Sequence, residues 1–85
     1  MPRQKTSVRV AGKAYTLVSE DEPEYMARIA AHVDRSIDEV TQTAHVPLQD
    51  AAVLTAINLA DELMKSKEEA RRLRMQLQAF REAEA

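Results

Sequence analysis

The residues able to do chemistry are few in this chain, and their spacing argues against catalysis. Its 85 residues include two histidines, His32 and His45, and no cysteine. A zinc site draws most of its ligands from those two types. No serine or carboxylate frames either histidine as a nucleophile–base pair requires. The acids between Glu20 and Glu24 lack the alternating ligands and the glycine of a calcium loop. They are placed instead to complement a helix N-terminus. His32 lies beside an apolar stripe and reads as a boundary residue. His45 falls in a loop, where a surface contact is an open alternative. What remains is charge. Residues 1–13 carry Arg3, Lys5, Arg9 and Lys13 with no acid, whereas residues 14–50 carry eight acids against Arg28 and Arg35. Such a basic start is either a contact patch or a solvated terminus. Arg71, Arg72 and Arg74 form a second cluster that Glu68 and Glu69 cancel, as on a solvated helix face. An enzyme is the least expected class, and no cofactor, metal or small-molecule substrate is expected.

The elements that must position these residues follow from periodicity. Met1 to Thr6 is polar and expected to fray. Ser7–Ala11 and Ala14–Val18 alternate, with Val8 and Val10 on one face of the first run and Tyr15 and Leu17 on one face of the second. Gly12-Lys13 between them suits a type II′ hairpin turn. That turn would set Val10 opposite Tyr15 and Val8 opposite Leu17, so all four share a face. A lone hairpin is marginal in water, so this face needs a helix beneath it. Ser19 and Glu22 have capping-box spacing, with Asp21 as an alternative cap, and Pro23 suits the first helical turn. From there to about Thr43, Met26, Ile29, Ala30, Val33, Ile37 and Val40 form one apolar stripe. Pro47 ends that helix and begins the next. The two helices are expected to pack antiparallel, with the stripe against Val53, Ile57, Ala60 and Met64.

The second helix, from about residue 48 to the end, changes character along its length. The run 51–60 carries no charge and is apolar nearly all round. Beyond it, Leu59, Leu63, Ser66, Ala70, Leu73, Leu77 and Phe80 follow a heptad seam, the mark of a coiled coil. Ser66 and Ala70 make the seam a weak one. Asp61–Lys65 and Glu68–Arg72 have the spacing of supporting i,i+4 ion pairs. Asn58, an amide in an apolar run, is either a hydrogen-bonded boundary residue or a device that fixes chain pairing. A chain this short cannot cover such a helix, so self-association is expected. The fold class is therefore α+β: a head over residues 1–60 (hairpin about 7–18, helix 1 about 21–43, helix 2 from about 48), then an intermolecular coiled-coil stalk over 61–85. Gly12 is the only glycine, so no flexible linker divides them. The uncharged run 51–60 is too short to span a bilayer, no secretory h-region opens the chain, and the lack of cysteine fits a reducing compartment. A cytoplasmic protein with no membrane partner is expected. Three aromatics, Tyr15, Tyr25 and Phe80, are too few for a base-stacking surface, so no nucleic-acid partner is expected.

The run VRVAGKAYTL, the helix opening SEDEPEY and the stretch LTAINLADEL followed by heptads resemble the ZapA family of bacterial cell-division proteins, over about Thr6 to Phe80. The resemblance implies a non-enzymatic regulator that binds the tubulin-like FtsZ and bundles its protofilaments at the mid-cell division septum. It implies that two heads form a homodimer, and that two dimers join through antiparallel stalks into a homotetramer with a head pair at each end. It implies FtsZ contacts at charged head positions: Lys13 after the hairpin glycine, Arg9 on the same hairpin, and Gln49 and Asp50 near the start of helix 2, with His45 close by. Where some members carry basic residues at the end of helix 1, this chain has Thr41 and Thr43. Two other readings compete. A strand and two helices in a dimer also suit a DNA-binding module of ribbon-helix-helix type using the basic hairpin. A generic coiled-coil scaffold with an unrelated protein partner is the other.

Overall fold

The computed structural model describes residues 2–85. Its elements are β1 (Gln4–Val10), β2 (Lys13–Ser19), α1 (Pro23–Ala44) and α2 (Leu48–Glu84). The chain divides into two compact units, Met1–Thr55 and Ala56–Ala85, the second formed entirely by α2 and the final residue.

The two strands form one antiparallel hairpin, and its register corrects the expected turn. Val10 pairs with Lys13, Val8 with Tyr15 and Thr6 with Leu17. The loop residues are therefore Ala11 and Gly12, not Gly12 and Lys13. Both have positive φ, 54° and 81°, which is the type I′ geometry whose twist matches that of the strands. Glycine takes the second loop position, where the larger positive φ falls. Moving the loop back by one residue changes each pairing by two, so the parity of the faces survives. Val8, Val10, Tyr15 and Leu17 still share one face. The strands also extend beyond the expected 7–18. Gln4 to Thr6 belong to β1 rather than to a frayed end, while Met1 lies outside the described residues. The Gln4 side-chain amide donates to the Asp21 carbonyl at 3.3 Å, tying the start of β1 to the loop after β2.

α1 starts without the expected capping box. Glu22 is the N-cap in extended conformation, with no side-chain cap bond. Ser19 instead closes on its own loop: its hydroxyl accepts the Asp21 N–H at 2.9 Å and donates to the Asp21 carboxylate at 3.2 Å. Pro23 supplies the preset φ of the first turn. The helix runs to Ala44, one residue past the expected limit. It stops where His45 turns left-handed (φ 54°, ψ 44°) and donates its N–H to the Thr41 carbonyl at 3.2 Å. His45 is thus the C-cap and, as expected, lies in the loop between the helices. The core lies between β1 and the apolar stripe of α1, where Val8, Ala30 and Ile37 are buried.

α2 begins as read, with the Pro47 carbonyl accepting the Ala51 N–H at 2.9 Å. Its buried face is not the expected one. Ala51 is fully enclosed and Thr55 is 1% exposed, whereas Val53, Ile57 and Met64 stand 56%, 59% and 64% exposed. Ala60 is exposed as well. The Thr55 hydroxyl donates to the Ser36 carbonyl of α1 at 3.5 Å. Ala51 and Thr55, both small, lie one turn apart on one face of α2. The larger apolar residues are left on other faces.

Candidate functional site

The basic residue after the hairpin glycine does not sit in a loop. Lys13 opens β2 directly opposite Val10, and opposed residues of an antiparallel pair point to the same face. Lys13 therefore shares the helix-side face with Tyr15. It lines a groove of ≈ 440 Å³ together with Val10, Ala11, Tyr15, Ile37, Leu48, Gln49 and Ala52. This groove joins the hairpin tip, the middle of α1 and the first turn of α2. It brings Lys13 and Gln49 to one rim, although 36 positions separate them. Tyr15 and Leu48 are about half exposed there. The sequence reading missed Leu48 and Ala52 as lining residues, and it placed Ile37 only in the helix–helix core.

Arg9 belongs elsewhere. It pairs with Ala14, and alternation along the strand turns it to the face opposite Lys13. Its guanidinium donates to the Gly12 carbonyl at 2.9 Å, so it braces the turn from the outer side. On the inner side, the Ala11 N–H donates to the Asp34 carboxylate of α1 at 2.8 Å. Asp34 lies off the apolar stripe, and nothing in its spacing flagged it; only the fold places it under the turn. Asp50 is exposed in the first turn of α2 and His45 is exposed at the end of α1, neither of them lining the groove. Of the five candidate head contacts, the structure thus gathers Lys13 and Gln49, and sets Arg9 behind the turn.

A second hydrophobic groove, of ≈ 150 Å³, lies between the sheet and α1, lined among others by Leu17, Met26, Ile29 and Val33. Tyr15 and Ile29 leave it partly open, at 48% and 39% exposure.

The unit Ala56–Ala85 is helix over nearly all its length, and its seam is open. Leu63, Leu73, Leu77 and Phe80 are 50–63% exposed, and Ser66 is exposed, while Leu59 and Ala70 are half-buried. Asn58 is exposed as well. Asp61 and Lys65 form the expected i,i+4 ion pair at 2.9 Å. Glu68 pairs with Arg71 at 2.5 Å and Glu69 with Arg72, both at i,i+3, in place of the expected Glu68–Arg72 pair. Exposed pairs of this kind orient the surface and contribute little stability. Among the described residues no group of three or more His, Asp or Glu is placed to hold a metal ion. Among the described residues no helix is long and apolar enough to cross a membrane.

A hairpin backed by a helix, followed by one long C-terminal helix, defines an α+β protein with large apolar side chains exposed in both units. The chain belongs to the ZapA family of cell division proteins, whose family model matches residues 6–85. A cell division protein ZapA from Geobacillus kaustophilus is 40% identical, covering 98% of this chain and 92% of the relative. That of Bacillus subtilis is 30% identical, covering 88% and 89%. Among solved structures, a ZapA mutant dimer from Geobacillus stearothermophilus aligns with a TM-score of 0.77 at 38% identity, covering 92% of each chain.

Proposed function

We propose that this chain binds FtsZ and cross-links its protofilaments at the mid-cell division ring, without catalytic activity of its own. It does so as a homodimer that pairs further into a homotetramer. Residues 1–60 act as the binding head and residues 61–85 as the coiled-coil stalk. The observation that carries this reading is the apolar surface left open by a single chain. Exposed apolar side chains open the sheet–α1 groove at Tyr15 and Ile29 and run along the α2 seam at Leu63, Leu73, Leu77 and Phe80, which suits two separate self-contacts. A solved mutant of a ZapA relative is a dimer. A particle with heads at both ends bridges two filaments, and several weak head contacts along a polymer add up to firm binding.

The groove rimmed by Lys13 and Gln49, with Asp50 and His45 on the neighbouring surface, is the proposed filament contact. The test is co-sedimentation of the full chain with FtsZ polymerised in GTP, with light scattering to follow bundling. The expected result is co-pelleting with raised scattering, reduced in Lys13→Glu at unchanged molar mass. Absence of co-pelleting with FtsZ of the same organism at low salt overturns the reading.

A further inference from the structure

We propose that Asp34 is a positioning residue for filament binding, holding the hairpin turn that presents Lys13. The inference rests on the reading of the Lys13–Gln49 groove as the FtsZ contact, and adds a residue that no spacing pattern marked. Ala11 is an alanine at φ 54°, a left-handed conformation that a Cβ disfavours. It stays there with help from two side chains reaching the loop from opposite faces. Asp34 accepts the Ala11 N–H at 2.8 Å, and Arg9 donates to the Gly12 carbonyl at 2.9 Å. The first of these also fastens the loop to α1, across 23 positions of sequence. Ala11 and Lys13 both line the groove, so the position of the turn relative to α1 sets where the lysine stands relative to Gln49. An aspartate whose geometric partner is a strained backbone amide acts on the surface through that amide. It need not touch the filament.

The test compares Asp34→Ala, Asp34→Asn and the double variant Asp34→Ala/Ala11→Gly as full chains. Each is assayed for FtsZ-polymer affinity by co-sedimentation, for molar mass by light scattering, and for exchange of the Ala11 amide proton by NMR. Asp34→Ala is expected to weaken polymer affinity about tenfold and to speed Ala11 exchange by a similar factor, with molar mass unchanged. Asn keeps an acceptor oxygen, so Asp34→Asn is expected to retain most of the affinity. Glycine at position 11 adopts positive φ without the Cβ penalty but restores no bond to α1, so the double variant is expected to stay as weak as Asp34→Ala. An Asp34→Asn chain as impaired as Asp34→Ala, or a double variant that regains full affinity, overturns the positioning role. Lys13→Glu is run in parallel. Loss of binding in Lys13→Glu with none in Asp34→Ala overturns the role of Asp34 alone and leaves the groove standing. No loss in Lys13→Glu removes the lysine from the contact, and the proposal falls with it.

Discussion

At the scale of single residues, the hairpin shows how little a side chain's type says about its task. Arg9 and Lys13 are both basic and both on the hairpin, yet the register sends them to opposite faces. One braces a carbonyl of the turn and the other rims a groove. Thr6 is a similar case. It alternates with Val8 toward α1 and is 8% exposed, but its hydroxyl finds no hydrogen-bond partner among the described residues. An unpaired buried hydroxyl costs stability, and valine has nearly the same shape. Thr6→Val is therefore expected to stabilise the chain by about 1 kcal/mol, read as a raised urea midpoint at unchanged slope. A lowered midpoint would mean that the hydroxyl is satisfied in the assembled protein.

At the scale of elements, the enclosed positions of α2 carry small side chains rather than the larger apolar ones. Ala51 has no exposed surface, and Thr55 packs one turn later against the Ser36 carbonyl. Ala51→Leu adds three carbons to a closed site and is expected to destabilise the chain by about 1–3 kcal/mol, measured by denaturant unfolding. Ile57 leads to the opposite expectation. It is 59% exposed, so Ile57→Asp is expected to leave the helix formed and to act on molar mass. A collapse of helical circular dichroism at high protein concentration would place Ile57 in the chain's own core instead. In the stalk, Leu77 is half exposed on the heptad seam. Leu77→Glu is expected to break the larger assembly while keeping a smaller folded species, as seen by light scattering. An unchanged mass would refute the seam.

At the scale of the whole molecule, the exposed apolar side chains lead to an expectation that stability depends on concentration. If separate interfaces close the sheet–α1 groove and the stalk, the melting temperature is expected to rise with total protein, since association stabilises only the folded chain. Calorimetry over a hundredfold range of concentration reads this directly, and a constant melting temperature would contradict obligate self-association. The weak seam, with Ser66 and Ala70 at core positions, is expected to release first on dilution. The protein would then pass through a smaller assembly before unfolding.

The sequence by itself determined the elements and their kinds. Alternation marked the strands, the three-and-four spacing from Met26 to Val40 marked α1, Pro23 and Pro47 marked the helix starts, and the seven-residue recurrence of Leu63, Ala70 and Leu77, with Leu73 and Phe80 on the alternate positions, marked the long final helix. These are local signals, because backbone geometry dictates which residues share a face whatever packs against it. The turn lay one step off because Gly12-Lys13 and Ala11-Gly12 both suit a two-residue loop. Both choices preserve the same side-chain parity, so the hydrophobic pattern could not separate them. Only the tertiary structure decided which face of α2 is buried, since the hairpin and α1 enclose the side of its first turns that carries Ala51 and Thr55 and leave Val53 and Ile57 exposed. It likewise decided that Lys13 and Gln49 share a rim, and that Asp34 lies beneath Ala11. Those distances depend on how a hairpin settles on a helix, and no spacing along the chain encodes that.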